Sequence, residues 1–366
     1  MKDLEREILI RACDLNPDPE TFRFLFCSEV DEKKLLDEAV REGLAGFLYK
    51  GLLKTGTLDA LKPQTAAMLE SAYYRTVSSN LRLMQDLKVV LCEVNQRGIR
   101  TVLLQGMGLL HGTYEDIGLR PMTDVDLWVW REDYPAMVAL LGRLGYERDR
   151  IYPSTFRKGA TTFDLHTHIL WAERIRAREK LLNVEEEEIQ AKTRPIRVEG
   201  EEASCLHPCD QFLYLGLHLL KHRATRLMWL ADLKSVVSKW EERDWKALAH
   251  RAIDLGQEKT VAYMLYLLRE IFGFPVPESM KDVTGVGAFE KKMLRPRIEG
   301  RALHPWAPAC LYALTKGPVR GLPIFLESLF PRPEILRQMF PEAPELGVLR
   351  LYLKRAVQLA GMTRGR

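Results

Sequence analysis

The chain has 366 residues, enough for two or three domains each with its own core. Its 46% hydrophobic and 28% charged residues match a globular protein, and a net charge of +4 is too mild for wholesale nucleic-acid binding. Six cysteines at this length exclude a disulfide scaffold and fit a reducing cytoplasm, and no run of roughly eighteen uncharged apolar residues offers a membrane span.

The first segment is charged and amphipathic and lacks the apolar core of a signal peptide, so a cytoplasmic location is expected. Residues 1–98 read as a helical arm: Leu4, Ile8 and Leu9, then Leu35, Leu36, Ala39 and Val40, recur at three- and four-residue spacing. Pro17 and Pro19 break the first segment, and residues 43–56 read as a loop or short turn between glycines. A long helix is predicted over 63–97, with Leu69, Tyr73, Val77, Leu81, Met84, Leu87 and Leu91 on its apolar side. Gly98 ends it.

Residues 99–204 read as a mixed α/β core with a charged extension. Val102, Leu103 and Leu104 form a short apolar run, Gly106 and Gly108 a turn, and a second apolar run opens with Asp124-Val125-Asp126. A helix over 134–144 closes at Gly145, an extended edge segment covers 146–157, and a strand is predicted over 161–170. Residues 172–202 are densely charged, with Glu185 to Glu188 read as a solvated helix face, and 193–198 as a further strand. Residues 205–366 read as a C-terminal helical domain, with helices over 209–222, 227–240, 245–255 and 260–272. Packed helices follow within 306–330, then a basic tail of Lys354, Arg355, Arg364 and Arg366.

The acids carry the chemistry. Strand side chains alternate between faces, so Asp124 and Asp126 would project together, opposite Val125, Leu127 and Val129. At roughly 4 Å and an effective dielectric of about 20, two carboxylates repel by about 4 kcal/mol. A divalent cation removes that cost, and oxygen donors suit Mg²⁺ or Mn²⁺. The matching third acid is Asp164, which shares a predicted strand face with Thr162, His166 and His168.

A glycine turn, Asp-x-Asp and a third Asp in a strand about forty residues later resemble the DNA polymerase beta-like nucleotidyltransferase superfamily. The wording is closer still to the uncharacterised nucleotidyltransferase family of bacteria, through Gly106, Leu109, Tyr114, Arg120, Pro121, Asp124, Asp126, Leu127, Asp164, Leu165 and His166. The resemblance implies an α+β fold, a small mixed-sheet nucleotidyltransferase core flanked by N-terminal and C-terminal helical regions. It implies a metal-dependent enzyme that moves an NMP group from a nucleoside triphosphate to a hydroxyl or phosphate of an acceptor, with pyrophosphate release. Asp124, Asp126 and Asp164 would then be catalytic metal ligands, with Asp164 also able to accept the proton of the attacking group. The nucleotide would meet Gln105, Gly106, Met107, Gly108, Arg120, His166, His218 and His222. The family usually has Lys in place of Gln105, and many relatives have Gly-Ser where this chain has Gly106-Met107. Phosphate contact would rest on backbone N–H groups at the following helix start. A catalytically weak or inactive nucleotide-binding module is therefore the alternative. The acceptor is left open among small molecule, peptide and protein, with nucleic acid disfavoured by the charge.

Other patterns have blander readings beside them. Arg120 would orient a phosphate or pair with Asp124. His218 and His222 share a helical face, with Asp232 ten residues on, and read as a polar face toward the cleft or a hydrogen-bonded core pair. Cys205, His207 and Cys209 lack the second donor pair of a zinc site, and the third glycine after Gly106 and Gly108 is one residue late for a dinucleotide fingerprint. Trp128, Trp171, Trp229, Trp240 and Trp245 read as core, with Trp171 best placed to stack on a base.

Overall fold

In the helical arm, side chains set the helix starts and glycines set the stops. The computed structural model describes residues 3–283, 285–343 and 345–364. Asp3, Asp18 and Asp31 each accept a backbone N–H at the start of α1 (Leu4–Ala12), α2 (Pro19–Leu25) and α3 (Glu32–Glu42). The stretch between Gly43 and Gly56, expected as a loop, is instead α4 (Ala45–Thr55). Both glycines have positive φ and cap the ends of α3 and α4. Gly46, inside α4, allows close packing, since a Cβ there would meet the Gly118 carbonyl oxygen at 2.1 Å. α5 (Pro63–Arg97) has its predicted length and stops at Gly98. Leu81 lies off its buried face, 43% exposed, because the second half of the helix turns Leu83, Leu87, Val90 and Val94 inward instead.

The core follows in order: β1 (Thr101–Leu103), α6 (Gln105–Leu110), β2 (Val125–Val129), α7 (Tyr134–Arg143), β3 (Glu147–Arg148), β4 (Thr155–Lys158), β5 (Thr161–His166), α8 (Glu186–Ala191), β6 (Arg194–Val198) and β7 (Glu201–Cys205). Among the described residues these strands make one seven-stranded sheet, in the order β3-β4-β5-β2-β1-β7-β6. β2 and β5 run parallel, as do β1 and β7, and the other neighbours are antiparallel. α5 crosses β5, β6 and β7 beside α7. The extended segment expected over 146–157 is the β3–β4 hairpin at the sheet edge. β7 has no apolar run to announce it: Glu201 and Glu202 open the strand, and its place comes from pairing with β6 and β1. β5 ends at His166, four residues before the expected stop. His168 is therefore off the strand face, where its Nδ1 accepts the Leu170 N–H and lies 3.7 Å from Glu186.

The helical C-terminal region is built round α9 (Pro208–Lys221), nearly all of whose residues are buried. α10 (Met228–Val237), α11 (Glu242–Leu255) and α12 (Glu258–Phe272) pack on it. α13 (Ala288–Ile298), α14 (Ala307–Thr315) and α15 (Gly317–Leu329) follow, and α14 also touches α9. α16 (Pro333–Met339) and α17 (Val348–Arg364) enclose a small separate cluster of Leu336, Phe340 and Leu351. The main described core is continuous from Ile8 to Ile324. Among the described residues no helix is long and apolar enough to cross a membrane. Arg366 of the basic tail lies outside the described residues.

Candidate active site

Three acids reach one wall of a cleft through the register of two strands. Asp126 in β2 stands opposite Asp164 in the parallel strand β5. Residues in register on parallel strands share a face, and the strands lie about 4.8 Å apart, so the two carboxylates are neighbours. Asp124 sits just before β2 on the same wall. Burial, and then the charges of Asp126 and Asp164, push its pKa up to about 6.

Each acid already has a partner. The Thr123 hydroxyl donates to Asp124 at 3.2 Å, and the Thr155 hydroxyl donates to Asp164. His166 Nε2 lies 2.9 Å from Asp126, and its Nδ1 lies 3.7 Å from Glu173. Burial works against the imidazolium, yet Asp126 and Glu173 push its pKa up to about 9, while His166 holds the half-buried Glu173 carboxyl below its ordinary range. Among the described residues no trio of His, Cys, Asp or Glu forms a ready-made metal cage. The donor chemistry fits a divalent cation all the same: three carboxylates crowd one wall, and the raised pKa of Asp124 registers burial and negative charge that one imidazolium leaves uncompensated.

The loop that delivers Asp124 is pinned at several points. Arg120 Nε donates to both oxygens of Asp232 on α10, at 3.1 and 3.0 Å, and the Tyr114 hydroxyl donates to the same carboxylate at 2.7 Å. Arg120 is thus in an ion pair, but with Asp232 and not with Asp124 as the sequence suggested, because the side chain turns toward α10. Asn80 of α5 donates to the carbonyls of Ile117 and Arg120, at 2.7 and 2.8 Å. Gly106 leaves room for this arginine, since an added Cβ would sit 2.2 Å from its Nη1 and 2.5 Å from Met122 Sδ.

Above the acids opens a cleft of about 740 Å³. Gln105, Gly106, Arg120, His166, His218 and His222 line it with the three acids. Met107 and Gly108 do not. Met107 is in the core, and Gly108 backs onto β1, where a Cβ would meet the Leu103 carbonyl at 2.9 Å. Gln105 has positive φ and donates its amide to the Tyr214 hydroxyl at 3.3 Å. The rings of His218 and His222 lie 4.4 Å apart on the far wall, tilted by 44°; burial keeps His218 neutral by pushing its pKa well down. Trp171 is almost wholly buried yet borders the cleft, with Lys221 over its ring and Tyr214 against it, and Trp229 lines the cleft beside His222.

Glu173, Arg174 and Lys221 also line the cleft and escaped the reading of the sequence. Glu173 and Arg174 are charges within a charged run, and nothing local separates them from solvated neighbours. Lys221 lies between the two flagged histidines, where adjacency to His222 was the available signal.

A family model described as uncharacterised nucleotidyltransferase matches residues 28–273, a span that holds all three acids and helices α3 to α12. No curated protein matches the chain.

Proposed function

The chain belongs to the uncharacterised nucleotidyltransferase family, and from that premise we propose that it transfers an NMP group from a nucleoside triphosphate to a hydroxyl or phosphate of an acceptor, releasing pyrophosphate. It is a transferase with a nucleotide substrate. The observation that supports the finer reading best is the in-register pair Asp126 and Asp164 with Asp124 beside them.

Asp124, Asp126 and Asp164 would hold Mg²⁺ or Mn²⁺, which when bound neutralises phosphate charge and lowers the pKa of the attacking oxygen. The chain's residues then position the reaction. The acceptor oxygen bonds to the α-phosphorus, the bond from that phosphorus to the bridging oxygen breaks, and pyrophosphate leaves with the electron pair. Asp164, the less buried of the pair, takes the acceptor's proton. His166 steadies the Asp126 carboxylate through its hydrogen bond. Positioning and charge neutralisation supply most of the acceleration. Small molecules, peptides and proteins all suit the acceptor side.

The engagement of Gln105 with Tyr214 favours one second reading, a module that binds nucleotide with weak or no turnover. Incubation with α-labelled triphosphates and Mg²⁺ decides between them. Pyrophosphate release that is lost in Asp126→Asn supports transfer; nucleotide binding without release supports the module.

A further inference from the structure

Lys221 ends α9 with its ammonium group in the cleft, 3.7 Å from the centroid of the Trp171 ring. Among the described residues no carboxylate lies within ion-pair distance of it. The groups that face it come from several elements. Arg174 and Glu173 follow β5, Arg178 lies in the short helix over 176–181, and Asp126 is in β2. His218 and His222 share its own helix, and Tyr312 approaches from α14. Burial and the two arginines push its pKa down to about 7, against the weaker pull of Asp126 and Glu173.

This is an unusual place for a lysine. An aromatic face supports a cation, but two arginines beside it oppose one, and no counter-ion offsets them. Trp171 Nε1 and His218 Nδ1, both buried beside it, also lack hydrogen-bond partners. The cleft is thus polarised, with carboxylates on the sheet wall, Lys221 and the unpartnered His218 Nδ1 on the helix wall, and Arg174 and Trp171 Nε1 joining them from the segment after β5. A polyanion whose charge is shared between a cation at the acids and the helix wall completes both halves.

We propose that Lys221, with Arg174 beside it, seats the triphosphate tail, and that nucleotide binding draws a proton from solvent onto Lys221 Nζ. The proposal rests on the nucleotide reading above. The only bond that forms is Nζ–H: the neutral amine gains one proton as the phosphates arrive, and the buffer acid that gives it up is left as its conjugate base.

Isothermal titration of the full chain at pH 8, in two buffers of different ionisation enthalpy, measures the proton directly. The probes are Mg²⁺–tripolyphosphate and Mg²⁺ with a non-hydrolysable ATP analogue. Wild type should take up about 0.9 proton per ligand, since a group with pKa about 7 is mostly neutral at that pH. Lys221→Arg should bind with similar affinity and lose the uptake, because arginine stays charged. Lys221→Met should bind about tenfold more weakly or worse. Uptake that persists in Lys221→Arg, or unchanged affinity in Lys221→Met, overturns the proposal while leaving the nucleotide reading intact. Failure of both probes to bind wild type overturns the two together.

Discussion

Asp126 and Asp164 hold matching positions on adjacent parallel strands, and the consequence is felt at a third residue, Asp124. Two carboxylates in register create a negative wall that a loop then brings a further acid to join. The fold maintains this crowding with specific restraints: the Arg120–Asp232 pair and the Asn80 amide anchor the loop, and His166 braces Asp126.

The crowding should be measurable as stability. Asp124 has its pKa raised to about 6 from 3.8, so the folded chain binds that proton more tightly than the unfolded chain does. The stabilising effect is present below about pH 4 and is lost as pH rises through about 6. Asp124→Asn should therefore raise the Tm of the metal-free chain at pH 8, by an effect of up to about 2 kcal/mol. The same variant should reduce nucleotidyl transfer at least about a hundredfold. Calorimetry in EDTA, beside a turnover assay, checks both; a lower Tm than wild type would count against the crowded cluster.

His166 predicts a slope of the same sign at higher pH. Its folded pKa of about 9 lies above the ordinary 6.5, so its contribution is fully present below about pH 6.5 and disappears as pH climbs through about 9. His166→Gln should destabilise the metal-free chain by on the order of 2 kcal/mol at pH 6 and by little at pH 10. Urea midpoints across that range give the answer, and a gap that does not change with pH would rule out the imidazolium.

The Arg120–Asp232 pair is buried on both sides, so breaking it should be worse than deleting it. Asp232→Asn leaves an uncompensated guanidinium and should cost about 3–5 kcal/mol. The double change Arg120→Leu with Asp232→Leu should recover much of that stability without restoring turnover, because the loop carrying Asp124 loses its anchor. Denaturant unfolding of the three chains makes the comparison.

Gly106 and Gly142 form a matched pair of tests. Gly106→Ala drives a Cβ against Arg120 and Met122 and should destabilise by on the order of 2 kcal/mol, with turnover lost. Gly142 lies in α7 with nothing within 4 Å of an added Cβ, so Gly142→Ala should be neutral or stabilise by up to about 1 kcal/mol. Equal effects at the two positions would contradict the tight approach seen at Gly106.

Local signals carried the reading of the sequence where local physics decides the outcome. The 35-residue span of α5, its stop at Gly98, β2 with Asp126 and the closure of α7 near Gly145 all follow from periodicity and capping. The juxtaposition of Asp126 and Asp164 was legible because strand alternation and the family resemblance point the same way. The failures are tertiary. Glycines around α4 looked like turn residues, although two of them cap helices and Gly46 accommodates a neighbouring backbone. His168 belonged to the strand pattern until the chain bent away after His166. Glu173 and Lys221 acquire meaning from the cleft that folding builds around them, and neither sits in a motif.

The central claim is that the three acids act together on a nucleoside triphosphate. The most direct measurement is Mg²⁺-dependent release of pyrophosphate from each of the four common triphosphates, by wild type, Asp126→Asn and Asp164→Asn, with folding of each variant verified by its unfolding transition. The account predicts release by wild type with at least one triphosphate, abolished by EDTA and by either substitution. Release at the wild-type rate by both folded variants would contradict it.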